Sequence, residues 1–230
     1  MALDPNSSKV NLPFLWPFKN IYYGWMILAT IFLVSFIQAP VFGPVVAVFV
    51  MPIEDDLGWS RTVISLGFTI GSMAGSLASL GVGILLDRFG SRWVIAATAI
   101  IMAGAMIGLS QMTQPWEYWV YFGIARGAAM AGVQLGVIVT TANWFIRMRG
   151  RATAVGGSGL RSGQAVVPLL ILAIITAYGW REAYLVMSVL TILFIMLPAI
   201  LFLRRRPEDL GLQPDGTREK SQQGVKATES

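Results

Sequence analysis

The stretch from Thr62 to Arg92 reads TVISLGFTIGSMAGSLASLGVGILLDRFGSR. Between Thr62 and Leu86 it has no charged side chain, and then Asp87, Arg88 and Arg92 arrive together around Gly90. A helix needs about 20 apolar residues to cross the hydrocarbon core of a bilayer, and the uncharged part is long enough. Gly67, Gly71, Gly75, Ser79 and Gly83 recur at every fourth position, so they share one helix face. Such a stripe lets a second helix approach backbone to backbone, either inside the same bundle or from outside this chain.

Working outward, five more stretches have the same character: Ile21 to Val50, Trp93 to Met112, Tyr118 to Phe145, Ala152 to Tyr178 and Ala183 to Leu203. Only Arg126 in the fourth span and Arg161 in the fifth interrupt them with charge. None alternates in polarity as a barrel strand would, so six transmembrane helices are predicted. The connections between them are short. Over 230 residues, 55% are hydrophobic, 13% are charged and the mean hydropathy is +0.65. A soluble domain carries about 25% charged residues, so a water-soluble globule is excluded. The lack of Cys and His excludes a disulfide scaffold and a Cys/His metal cluster. An aromatic content of 11% excludes disorder.

Lys and Arg distribution sets the expected orientation. One side of the predicted spans holds Lys9, Lys19, Arg88, Arg92, Arg147, Arg149, Arg151, Arg204, Arg205, Arg206, Arg218, Lys220 and Lys226. The other holds Arg61 and Arg181 beside Glu54, Asp55, Asp56, Glu117 and Glu182. Both termini are therefore expected in the cytoplasm, with residues 1–20 a cytoplasmic N-terminal segment, 21–203 the six-span bundle and 204–230 a cytoplasmic tail. The net charge of +5 is read as this bias, not as a nucleic-acid surface. Tyr22, Tyr23, Trp25, Trp93 and Trp144 at one set of ends, and Trp59, Trp116, Trp119 and Trp180 at the other, suit interfacial belts. In the first span Pro40, Gly43 and Pro44 predict a broken helix beside Gln38.

Gly83, Asp87, Arg88, Gly90 and Arg92 resemble the loop signature of the major facilitator superfamily, Gly-x-x-x-Asp-Arg-x-Gly-Arg-Arg, with Ser91 as the departure. The resemblance falls between the second and third spans, where the family carries it. It implies one half of a major facilitator bundle, built as a 3+3 inverted repeat. It also implies a conformational-switch loop in which Asp87 latches one face of the transport cycle. Asp87 would sit at a helix C-terminus, where the macrodipole is already negative. It is expected to need a positive partner: Arg88, Arg92, Arg147, Arg149, Arg151 or a helix N-terminus.

Three further stretches narrow the resemblance. They are Tyr23-Gly24-Trp25, the segment Trp144-Phe145 through Arg149-Gly150-Arg151-Ala152, and Arg205-Arg206-Pro207-Glu208-Asp209-Leu210-Gly211-Leu212. Together they look like bacterial relatives of monocarboxylate transporters and oxalate/formate antiporters. Family members have twelve spans, so a second six-helix half, covalent or separate, is an expected partner beside the lipid bilayer. The expected location is a bacterial-type inner (plasma) membrane.

Arg126 and Arg161 each fall about 13–15 Å into their spans, near the middle of a core about 30 Å thick. A mid-membrane charge costs at least about 2.5 kcal/mol and needs a role. No Asp or Glu lies in any predicted span. An anionic substrate, carboxylates of a second half, or backbone carbonyls could compensate the two guanidinium groups. The expected substrate site is thus Arg126, Arg161, Gln38, Gln134 and Gln164, with Asn143 a further polar candidate, and the expected substrate is a small organic anion such as a monocarboxylate. Catalytic, cofactor and metal residues are not expected, because nucleophile–base pairs, paired acids and ligand clusters are missing. A truncated or non-transporting membrane subunit, or transport of a sugar or a drug, are the alternatives. In the fifth span Gly156-Gly157-Ser158-Gly159 and Pro168 lack the Gly-Pro ending of drug antiporters.

Overall fold

The computed structural model describes residues 23–210; the segment 1–20 and the end of the tail, 211–230, lie outside the described residues. Six helices are long and apolar enough to cross a membrane: Gly24–Leu57, Arg61–Phe89, Ser91–Ser110, Pro115–Trp144, Arg149–Tyr178 and Trp180–Phe202. The protein is therefore an all-helical six-span bundle.

The first span is two helices, α1 (Gly24–Ile37) and α2 (Gly43–Leu57), joined by a 3-10 turn over Ala39–Val41. Pro40 and Pro44 each open the next helical piece, where a missing N–H costs nothing. The span runs seven residues beyond Val50, the end expected from hydropathy, through Glu54, Asp55 and Asp56 to Leu57. Two of these carboxylates are paired: Glu54 with Arg61 at 3.3 Å and Asp56 with Arg181 at 2.5 Å. Gly58, at φ 68°, ends the helix in the left-handed region.

The second span is one helix, α3 (Arg61–Phe89), and the third is α4 (Ser91–Ser110). The fourth consists of α5 (Pro115–Ala128), a π-helical segment at Ala129–Gln134 and α6 (Leu135–Trp144). It starts at a capping box formed by Gln114 and Glu117. The fifth is α7 (Arg149–Tyr178). The sixth is α8 (Trp180–Thr191), a second π-helical segment at Ile192–Met196, and α9 (Leu197–Phe202).

Spans one to three and four to six are two copies of one unit. Helices α1 and α5 each run 14 residues before an irregular segment. The tight inter-helix approaches also correspond. Gly71 and Gly75 of α3 lie against Gly123 and Gly127 of α5, while Gly159 and Gly163 of α7 lie against Phe32 and Phe36 of α1. The α1 and α5 residues are displaced by 91 positions, and the α3 and α7 residues by 88. Gly90 joins α3 to α4 at φ 78°, and Gly179 joins α7 to α8 at φ 105°, a displacement of 89. Because a unit holds three spans, the second copy enters the membrane from the opposite side. This is the 3+3 inverted repeat.

Two apolar cores fill the bundle. One gathers Phe49, Trp59, Tyr118, Phe122, Trp180 and Tyr184 near the end that carries Glu54 and Asp56. The other gathers Tyr23, Ile27, Trp144, Phe145, Leu203 and Leu210 at the arginine-rich end. Burial is uneven. Within the apolar windows, 50% to 61% of residues are buried in spans one, three and four, but only 17% in α3 and in α7. Most of the surface of these two helices is therefore left for lipid or for another bundle.

Candidate functional site

Helix α3 turns into α4 on the single residue Gly90, so Asp87, Arg88 and Arg92 crowd one tight corner. The strap that follows α9 holds the corner. Arg205 donates from Nη2 to the backbone carbonyl of Asp87, and its stem lies 3.2 Å from where a side chain on Gly90 would begin. The strap is itself tied down. Asn143 Nδ2 donates to the Arg205 carbonyl at 3.3 Å, Trp144 Nε1 to the Arg204 carbonyl at 3.1 Å and Tyr23 Oη to the Phe202 carbonyl at 2.8 Å. Burial pushes the Tyr23 phenol above its ordinary range, partly offset by Arg204 and Arg92, so it stays a donor. Pro207 and Leu210 are buried beneath the strap.

The Asp87 carboxylate does not pair with any of the arginines expected to neutralise it; among the described residues it is exposed and makes no ion pair. Arg88 and Arg92 lie over the neighbouring rings of Phe89 and Trp93 at 5.4 and 5.0 Å. Arg205, the residue that grips the corner, was visible in sequence only as part of an arginine-rich run after the last span.

The stripe on α3 divides. Gly67 meets the ring of Tyr118, Gly71 meets Arg126 and Gly123, and Gly75 meets Met130 and Gly127, all within this chain. Gly83 has nothing within 4 Å, and Ser79 bonds only back to the Ser76 carbonyl at 2.6 Å. Packing partners thus exist for the upper part of the stripe and not for its lower part.

Arg126 is 6% exposed and held by two hydrogen bonds and two rings. Its Nε donates to Ser72 Oγ at 2.9 Å and its Nη1 to the Val41 carbonyl at 2.5 Å. The guanidinium stands 3.7 Å from the Phe68 ring centroid and 5.3 Å from that of Phe42. The Val41 carbonyl is free to accept because the first span breaks there: Val45 N–H turns to Phe42 instead. The break and the buried cation therefore satisfy one another.

Arg161 is placed differently. It is exposed on α7, and its one hydrogen bond among the described residues is to Gln164 Oε1 at 3.2 Å. Arg126 and Arg161 have no partner in common. Arg126 faces α3 and the break in span one, whereas Arg161 lies on the poorly buried surface of α7.

Gln38 and Gln134 do come together. Both line a cavity of about 210 Å³ with Ser35, Thr141, Thr153 and Gly157, between the first, fourth and fifth spans. Gln38 is 1% exposed, yet its Oε1 has no hydrogen-bond partner. Arg161 and Gln164 continue the Thr153–Gly157 face one and two turns along α7. Asn143 is instead taken up by the strap.

The sequence model of the Major Facilitator Superfamily matches residues 28–225. A riboflavin transporter, RibJ, of Trypanosoma brucei brucei is 26% identical over 174 residues, covering 74% of this chain and 32% of the relative. A probable L-galactonate transporter of Escherichia coli is 28% identical over 143 residues, 62% of this chain and 31% of the relative. Human monocarboxylate transporter 14 is 23% identical over 220 residues, 92% of this chain and 41% of the relative. The chain spans about a third of the length of the first two and two fifths of the third. With six spans in two inverted triplets, the signature corner at Gly90 and a match over nearly all of its length, the chain belongs to the Major Facilitator Superfamily.

Proposed function

We propose that this chain is the N-terminal half of a secondary transporter for small organic anions such as monocarboxylates, working by alternating access against a second six-span unit. The reading is carried by one observation: Arg161, a permanently cationic group in the middle of a span, is exposed one turn along α7 from Gly157, which lines a cavity together with Gln38, whose buried oxygen has no partner. A cation at that depth needs an anion, and a guanidinium offers a carboxylate two parallel donors. Gln164 holds Arg161 in place; Gln38 and Gln134 offer amide donors to the substrate's remaining oxygens. Arg126 acts at one remove by fixing the broken first span that carries Gln38.

The poorly buried surfaces of α3 and α7 are where the second bundle docks, and the exposed Asp87 carboxylate meets its positive partner there. The corner Gly83, Asp87, Arg88, Gly90 and Arg92 then works as the cytoplasmic latch. Both termini are cytoplasmic and the membrane is a plasma membrane of bacterial type.

The test is uptake into liposomes containing this chain together with a second six-span unit. Labelled lactate, oxalate and formate are compared with a sugar and with riboflavin. The reading expects saturable uptake of an acid, cross-inhibition among acids and loss of uptake on Arg161→Gln. Uptake of a neutral solute that Arg161→Gln leaves unchanged contradicts it.

A further inference from the structure

A second site lies at the arginine-rich end, away from the Gln38 cavity. The starts of α1 and α7 splay apart there and leave a slot of about 220 Å³. Its walls are Trp25, Leu28, Phe145, Ala152 and Val155, and Arg151 stands at its rim. The two helices close only further along, where Gly156 meets Ile31 and Gly159 meets the Phe32 backbone. From Arg151 to Val155 the slot descends about 6 Å along α7, the distance from headgroup level to the edge of the acyl region.

Two features define what fits. The walls are apolar, so a soluble anion would leave them unfilled. The rim is cationic: Arg151 stands in it, with Arg149 two residues earlier on α7, and both are exposed and make no ion pair with a described residue. An apolar wall below a positive rim is complementary to an amphiphile whose charge is negative and whose tail is hydrocarbon. Trp25, 52% exposed at the mouth, is of the type that settles at the boundary between the two.

We infer that the slot between α1 and α7 binds one anionic phospholipid of the leaflet at this end, with its phosphate on Arg151 and an acyl chain along Leu28, Phe145 and Val155. The site is independent of what the protein transports. A lipid here fills the gap between α1, which ends just before Gln38, and α7, which carries Arg161.

The test is native mass spectrometry of the full chain, titrated with phosphatidylglycerol, phosphatidylcholine and inorganic phosphate. Two variants separate charge from shape: Arg151→Gln removes the rim charge, and Val155→Trp fills the slot while leaving both arginines. The expected result is one tightly retained phosphatidylglycerol, preferred over phosphatidylcholine. Its affinity should fall about fivefold in Arg151→Gln and as far or further in Val155→Trp, with no competition from inorganic phosphate. Equal retention of both lipids, retention of phosphatidylglycerol unchanged in either variant, or displacement by phosphate overturns the site. Circular dichroism confirms that each variant keeps its helix content. If Val155→Trp does not, Ala152→Leu replaces it with the same expected loss.

Discussion

The two mid-span arginines carry the same charge at similar depths but have opposite surroundings. Arg126 gives two hydrogen bonds and stacks on Phe68, so its charge is absorbed by the fold. Arg161 has one amide oxygen and open surface. Their substitutions should separate accordingly. Arg126→Gln leaves the Val41 carbonyl without its charged donor, and hydrogen bonds to charged groups are worth about 1.5–3 kcal/mol. Thermal unfolding of the purified chain in detergent should show a loss of that size. Arg161→Gln should move the same curve by no more than about 0.5 kcal/mol, since nothing in the fold leans on it. The place of both residues partway along their spans was legible in the sequence. Which one the fold consumes was not, because the decisive partner of Arg126 is a backbone carbonyl released by a break 85 residues earlier.

Among the elements, the glycines of α3 and α7 differ by what faces them. A side chain on Gly163 would run into the Phe36 carbonyl of α1, whereas one on Gly81 meets nothing within 4 Å. Gly163→Val should therefore destabilise the bundle by at least about 1–3 kcal/mol, the usual cost of overpacking. Gly81→Ala should be neutral or slightly stabilising, because Ala is the better helix former by about 1 kcal/mol. Chemical unfolding of the two variants side by side tests the contrast. The four-residue recurrence of the stripe was readable, but its division into a packed and an open part was not. That division depends on where the fourth span meets the stripe, which it does at Gly67, Gly71 and Gly75 through Tyr118, Arg126 and Met130. The corner at Gly90 makes a second prediction at this scale. Arg205→Ala removes the donor to the Asp87 carbonyl, and the amides of residues 90–92 should then exchange with solvent measurably faster. Unchanged exchange there would mean that Gly90 holds the corner without the strap.

At the scale of the molecule, the six spans were legible because charge is almost wholly confined to the connections. The inverted repeat was legible only through the resemblance of the corner at residues 83–92 to its family, and not in the residues of the two halves. Only scattered positions correspond between the halves, such as Gly71 with Gly159 and Gly75 with Gly163, and the residues they touch are glycines in one copy and phenylalanines in the other. The repeat is preserved as geometry, a close backbone approach, and not as residue identity. It also explains why α3 and α7 are the two least buried spans: they are equivalent members of the two triplets, and both present open surface.

The chain has no cysteine, so a single engineered one reports alone. Placed at Thr153 or Gly157, on the exposed wall of the Gln38 cavity, it should react with a membrane-impermeant thiol reagent when the chain is reconstituted with a second six-span unit. A small carboxylate at saturating concentration should slow that reaction several-fold, and the protection should vanish in Arg161→Gln. Labelling that a carboxylate never slows, or protection that survives Arg161→Gln, would contradict an anion site on this face.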